Sequence, residues 1–344
     1  MTPNPMPYFK FPDPELVKAW TNIRAGETRL GEQIALAGAD WQETLDAGRT
    51  PVALIGIPED IGVRANFGAG GADTAWEPFL KAFLNVQDSD ILPGDRMLLL
   101  GHFDFSSFGR TPDVEVLRQQ VAQIDEAVAP MVQAVIREGI LPVIIGGGHN
   151  NAYPNIKGAA AALGTAINVV NLDAHSDYRI AEGRHSGNGF RYAHLENCMD
   201  RYAVTGLHRN YNSQSVINEL KQHKNIHFSW SESVLVKHTD TFGQLLDQAF
   251  AFVKSKPCGI ELDLDCLEGV LSSAATPSGW PVAAARQYLH RAVTELDAVY
   301  VHICEGAAQL SDGRSFPGIG KLLGYLVADA ASGYLNRFGG QIKS

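Results

Sequence analysis

The chain has 344 residues, 45% of them hydrophobic and 19% charged, enough to bury the core of one large globular domain or two modest ones. Its 38 acidic side chains outnumber the 28 basic ones for a formal net charge of -10, and no lysine or arginine run gathers the positive charge, so no nucleic-acid partner is expected. No segment stays apolar for the length of a membrane span, and proline and charge interrupt the N-terminal MTPNPMPYFKFPDPEL where a signal peptide needs an apolar core, so no membrane partner is expected either. The four cysteines, Cys198, Cys258, Cys266 and Cys304, form no CxxC pair and sit in or beside apolar runs. They read as reduced, mostly buried thiols, and the cytoplasm is the expected location.

Residues 1–48 are proline-rich and then polar, with a helix predicted over residues 14–36, and read as an extension packed on a main domain of residues 49–344. From residue 51 short aliphatic runs alternate with longer amphipathic ones. PVALIGIP (51–58) and RMLLLG (96–101) read as strands, followed by a helix over 113–138. The strand ILPVIIGG (140–147) leads into a helix over 151–163, and the strands AINVVNLD (166–173) and AVTGLH (203–208) precede one over 240–255. CGIELDLD (258–265) is followed by a helix over 283–296, and AVYVHIC (298–304) by a last helix over roughly 318–334. Near-continuous apolar strands separated by helices predict an α/β domain of three layers, α/β/α, around a central parallel sheet of about eight strands. In such sheets ligands bind beyond the carboxyl ends of the strands.

Four strand ends carry chemistry. After ILPVII comes GGGHN, whose glycines let the backbone turn sharply and leave His149 projecting. After AINVVNL come Asp173, His175 and Asp177 at alternate positions, which a strand running into a turn can aim at one point, although a polar loop also accounts for them locally. After CGIEL come Asp263 and Asp265, among Ile260, Leu262, Leu264 and Leu267, where buried carboxylates need a counter-charge. Glu305 follows AVYVHIC as a carboxylate free to bind a cationic group, or as a residue opening a helix. Two histidines and four aspartates are too many for one tetrahedral zinc, and no thiolate joins them. A cation accepting octahedral or five-coordinate N/O geometry fits, Mn2+ above all, as two ions roughly 3.5 to 4 Å apart.

GGGH, DAHSD, DLD and a later Glu after a strand, in this order, resemble the ureohydrolase superfamily of arginase, agmatinase, guanidinobutyrase and formimidoylglutamase, from about residue 51 to 334. The resemblance implies the arginase-like three-layer fold, two Mn2+ per subunit, hydrolysis of a small-molecule amidine or guanidine, and a homo-oligomer, a trimer or hexamer. By motif position, His149, Asp173, Asp177 and Asp263 resemble the ligands of one ion and His175, Asp173, Asp263 and Asp265 those of the other, so that Asp173 and Asp263 bridge. Asp177 would also orient the nucleophile, and Glu305 matches the family's substrate-anchoring glutamate.

GIPEDIGVRANFGAGGA (56–72), GGGH rather than GGDH, Arg179 after DAHSDY, and HSGNGF (185–190) resemble the formimidoylglutamase members. That likeness implies N-formimidoyl-L-glutamate as substrate, with Arg179, Ser186, Asn188 and Arg64 contacting its tail and Arg191 as a further source of positive charge. His185 neighbours Ser186, which replaces a proton-shuttling histidine of arginases and agmatinases. The chain departs from the pattern at Ala65 and Ala69, where arginines are expected, at Glu261 in place of a serine, at Glu268-Gly269 in place of Asp-Pro, and at Asn150. An arginase, agmatinase or guanidino-acid hydrolase releasing urea therefore stays open, as does a non-catalytic metal-binding paralogue. A histone-deacetylase-like reading requires adjacent histidines, and the chain has no His-His dipeptide.

Overall fold

The structure is a computed structural model and describes residue 6 and residues 8–339. Ten strands form one sheet: β1 (Phe9–Lys10), β2 (Ala35–Leu36), β3 (Val52–Gly56), β4 (Met97–Phe103), β5 (Leu141–Ile145), β6 (Ile167–Leu172), β7 (Met199–Leu207), β8 (Ile226–Trp230), β9 (Cys258–Asp263) and β10 (Ala298–Cys304). Their order is β1-β4-β3-β5-β10-β9-β6-β7-β8, with β2 also on β4. All pairings are parallel except that of β1 with β4. The predicted parallel sheet of about eight strands is β3 to β10, and the N-terminal segment adds two more.

Alternate side chains on each strand enter opposite cores, as the two-residue period of a strand requires. Val52 and Leu54 join one hydrophobic cluster, and Ala53 and Ile55 the other. The first cluster is completed by helices Trp76–Phe83, Phe242–Val253, Val282–Glu295 and Ile319–Gly339. The second is completed by Val114–Arg137, Ala152–Leu163 and Gly189–Leu195. Both faces are covered, which explains why the central strands are apolar throughout rather than alternating. No helix among the described residues is long and apolar enough to cross a membrane.

The helix expected over 14–36 is a correction. It breaks into Pro14–Trp20, which stops at Thr21, whose hydroxyl donates to the Val17 carbonyl, and a single turn Leu30–Gln33. At the start of that turn, Leu30 and Gly31 give their N–H groups to the carbonyls of Val86 and Leu84 instead of to a preceding helical turn, before β2 joins β4. Strand β8 also went unpredicted; IHFSW is short and mixes polar with apolar residues.

The topology places the chemistry. Strands β5, β10, β9 and β6 are neighbours in the middle of the sheet, although residues 146–166, 173–257 and 264–297 separate consecutive members in sequence. Their carboxyl ends lead into GGGH, Glu305, DLD and DAHSD, so four motifs distant in sequence meet at one crevice.

Candidate metal centre

After β5 the chain turns at Gly146 (φ 90°) and Gly147 (φ 78°), left-handed conformations that glycine adopts without steric cost. A Cβ on Gly147 would meet the Asn151 side chain at 2.4 Å and the Ile57 carbonyl at 2.7 Å. Buried Glu59 straps this turn. Its Oε1 accepts from the Gly148 N–H (2.9 Å) and the side-chain amides of Asn150 (3.1 Å) and Asn151 (2.7 Å), while Oε2 accepts from the N–H groups of Ile61 and Gly62. Asp177 (φ 43°) and Glu305 (φ 64°) occupy the left-handed region without being glycine, a strain that persists where surrounding contacts over-determine the backbone.

The turn delivers His149 into a ring of carboxylates. Its Nδ1 lies 2.8 Å from Asp177 Oδ2 and 3.2 Å from both Asp173 Oδ2 and Asp263 Oδ2. None of the three contacts has the alignment of a hydrogen bond, and one ring nitrogen cannot serve three acceptors. Nitrogen and oxygens converging on one point are the arrangement of a coordination shell. A second set lies alongside: His175 Nδ1 is 2.8 Å from Asp265 Oδ2 and 3.8 Å from Asp173 Oδ1. Within each set the donor atoms lie no more than 4.8 Å apart, His149, Asp173, Asp177 and Asp263 in one and Asp173, His175 and Asp265 in the other. Asp173 belongs to both, and Asp263 falls in the first. Backbone N–H groups orient the acids, His175 donating to Asp173 Oδ1 (2.6 Å) and Asp265 to Asp263 Oδ1 (2.8 Å).

The electrostatics are those of an anionic cluster waiting for cations. Burial, reinforced by the Asp177 charge, pushes Asp173 up to about 6. Burial and then the Asp265 and Asp173 charges push Asp263 well above the carboxylate range. For His149, burial favours the neutral ring but is outweighed by Cys304 and the three aspartates. Because burial pushes the Cys304 thiol itself well up, the sulfur is neutral and the aspartates are the physical cause. For His175, burial is likewise outweighed, here by Asp265. Acids and imidazoles crowded in this way favour protonation, and divalent ions would neutralise the cluster better. Mixed N/O donors, with no thiolate among them, suit two such ions of borderline-hard character.

Above the cluster opens a cavity of about 490 Å3, with His175, Asp177, Asp263, Asp265 and Glu305 at its base. Burial pushes Glu305 up to about 8, and its Oε1 accepts from the His149 N–H (2.9 Å). Arg179 and Ser186 line the wall with Asn66. Arg179 is half exposed, donates to Asn66 Oδ1 (2.7 Å) and pairs with Glu182 (3.1 Å). The other residues expected at the substrate's tail lie elsewhere. Arg64 is taken by Asp60 (2.7 Å) and the Thr111 carbonyl, facing a neighbouring cavity. Asn188 is fully buried beneath the wall, accepting from Arg184 (2.8 Å) and donating to the Ile180 and Gly183 carbonyls. Arg191 is bound to Glu219 and stacked on Tyr178. His185 is buried, its Nδ1 accepting from the Gly187 N–H (3.1 Å).

Three supports escaped sequence reading. Glu59 carried only the signal of an acid in a turn. Arg184 forms a buried bidentate pair with Asp125 (2.8 and 3.2 Å) and also holds the Asn150 carbonyl (2.8 Å). Tyr211 stacks between His175 and His208, ring centroids 5.3 and 5.2 Å away.

Comparison with known proteins agrees with this geometry. The model of the family described as "Arginase family" matches residues 50–316. A formimidoylglutamase of Salmonella heidelberg (strain SL476) is 29% identical over 233 residues, 66% of this chain and 66% of the relative, so the match spans just under two thirds of that protein. One of Geobacillus thermodenitrificans is 28% identical over 286 residues, 80% of this chain and 83% of the relative. Among solved structures, formimidoylglutamase from Bacillus subtilis superposes with a TM-score of 0.69 at 17% identity, covering 92% of this chain and 95% of that one. Trypanosoma cruzi formiminoglutamase with Mn2+ gives 0.70 at 20% identity, covering 90% and 98%. The fold is the three-layer one those structures share.

Proposed function

This chain belongs to the Arginase family, and we propose that it is a binuclear manganese hydrolase of linear amidines, acting on N-formimidoyl-L-glutamate to release L-glutamate and formamide. The observation that carries the reading is the pair of adjoining donor sets sharing Asp173 at the base of an open cavity. The Mn2+ in the related trypanosomal structure and the names of the curated relatives support it. His149, Asp173, Asp177 and Asp263 would hold one ion and His175, Asp173, Asp263 and Asp265 the other. Two such ions supply an activated water at neutral pH and neutralise charge developing on the amidine.

The chain's own residues do the rest. Glu305, buried at the base, pairs with the cationic amidinium and turns its planar carbon toward Asp177, which orients the attacking water. Water adds to that carbon, the bond to the glutamate nitrogen breaks, the departing amine takes a proton, and the water's oxygen leaves in formamide. Arg179 and Ser186 on the wall contact the substrate's carboxylates. The four unpaired cysteines fit a reducing cytoplasm, and we place the enzyme there as a homo-oligomer.

The test is incubation of Mn2+-loaded protein with N-formimidoyl-L-glutamate, arginine, agmatine and 4-guanidinobutyrate, read for formamide, urea and ammonia. Formamide from the first substrate supports the reading. Urea from a guanidino compound moves the enzyme to an arginase, agmatinase or guanidino-acid hydrolase, the alternative that Ala65 and Ala69 keep open. Mn2+ binding with no product from any of them makes it a silent paralogue.

A further inference from the structure

His149 offers one ring nitrogen to the carboxylate cluster and the other to the interior of the sheet. Its Nε2 is buried and makes no aligned hydrogen bond, and it lies 3.4 Å from Glu261 Oε2. Glu261 stands two residues before Asp263 on β9, hence on the same face of the sheet and one step deeper. It is fully buried and firmly held. Tyr300 donates its hydroxyl to Oε1 (2.7 Å) and His302 Nδ1 sits 2.6 Å from Oε2. Both come from β10, where His302 is the register partner of Glu261. A buried ionisable group in a sheet core is costly and is readily replaced by an apolar one of similar volume. Packing alone gives no reason for a carboxylate with two dedicated partners at this place, whereas its approach to a metal-facing histidine does.

We propose that Glu261 is a positioning residue of the metal centre. Its Oε2, 3.4 Å from His149 Nε2, is placed to take the Nε2–H when Nδ1 ligates, which fixes the tautomer that leaves Nδ1 free, while Tyr300 and His302 hold the carboxylate in place. The inference rests on the two-metal reading above and adds a support behind one ligand. Partners behind ligating histidines orient the ring and raise its basicity, and their loss typically costs about 10- to 100-fold in metal affinity. Because Glu261 touches His149 and not His175, the effect falls on one of the two ions.

The experiment is a Mn2+ titration of metal-stripped full-length protein, following free Mn2+ by electron paramagnetic resonance. Glu261→Gln cannot accept at both oxygens, and the expected result is about 10- to 100-fold weaker binding of one ion, with the other unchanged and the unfolding temperature of the metal-free protein preserved. Tyr300→Phe, which frees the carboxylate at one oxygen only, should weaken the same ion to a smaller degree. It carries the test by itself if Glu261→Gln does not fold. Wild-type protein that binds no Mn2+ overturns the two-metal reading and this inference with it. Wild-type protein that binds two ions, with both dissociation constants retained in the variants, overturns the inference alone. Equal weakening of both ions together with a lowered unfolding temperature also overturns it, since that is the signature of a general structural role.

Discussion

Asp177 carries two burdens, a left-handed backbone and a place in a crowd of carboxylates. Glycine would relieve the first at no steric cost, and deleting the side chain would relieve repulsion on Asp173. Asp177→Gly should therefore leave the metal-free protein as stable as wild type or more so, while Mn2+-dependent turnover falls to background. Thermal unfolding in EDTA beside the formamide assay checks both halves, and retained turnover would remove Asp177 from the site. His185 makes a prediction of another kind. Burial, aided by the Arg179 and Arg118 charges, holds it down at about 4, in keeping with an Nδ1 that must stay unprotonated to accept from Gly187. The unfolded chain takes up this proton from about pH 6.5 downward and the folded chain does not. The stability that His185 contributes is therefore complete above that pH and is lost as pH falls toward 4, on the order of 1 kcal/mol per pH unit. His185→Asn, which keeps an acceptor for Gly187, should flatten the wild-type loss between pH 7 and 5 in denaturant titrations. Parallel curves for the two proteins would reject this.

Among the elements, the site is only as rigid as what braces its loops. The turn of residues 146–151, the segment of residues 184–188 and helix Val114–Arg137 are joined through Arg184, whose guanidinium reaches Asp125, Asn188 and the Asn150 carbonyl at once. The Tyr153 and Tyr192 rings flank that guanidinium, its carbon 4.7 and 4.9 Å from their centroids, and seal it from water. Removing one partner of a buried pair strands the other charge at a cost of about 3–5 kcal/mol. Asp125→Ala should therefore lower the unfolding free energy by about that amount. It should also weaken Mn2+ binding, because the strand-end turn bearing His149 loses its brace. Denaturant unfolding with and without Mn2+ checks it, and a cost below about 1 kcal/mol would show that water reaches Arg184 and replaces the acid.

Across the molecule, what could be read in advance and what could not divide along a physical line. Strands buried on both faces are continuous apolar runs and the crevice forms at their carboxyl ends, so β3 to β7, β9 and β10 were legible, as was the gathering there of the six N/O side chains. Contacts made by tertiary register were not. Tyr300 and His302 reach Glu261 only because β10 lies beside β9, Arg184 and Asp125 are 59 positions apart, and the expected helix over 14–36 yields to backbone partners near residue 85. Arg64 and Asn188 had suitable chemistry for a substrate's tail, but neighbours invisible in one dimension took them first. The N-terminal segment is the largest case. Both β1 and β2 lie on the outer edge of β4, pairing Phe9 with Phe103 and Ala35 with Leu98. Without them MLLLGHF would be an exposed apolar edge, a template for intermolecular pairing. The same segment buries Leu30 and Trp41 completely or nearly so, and each large apolar side chain contributes about 1.5–3 kcal/mol to a total of only about 5–15 kcal/mol. Deleting residues 1–48 should thus give a chain that unfolds at a markedly lower temperature and aggregates, as size-exclusion chromatography and calorimetry would report. The metal site sits at the ends of β5, β10, β9 and β6, away from that edge. Any truncated protein kept folded at low temperature should consequently bind Mn2+ as the full chain does. A soluble truncated chain with an unchanged unfolding temperature would show that β4 protects its own edge.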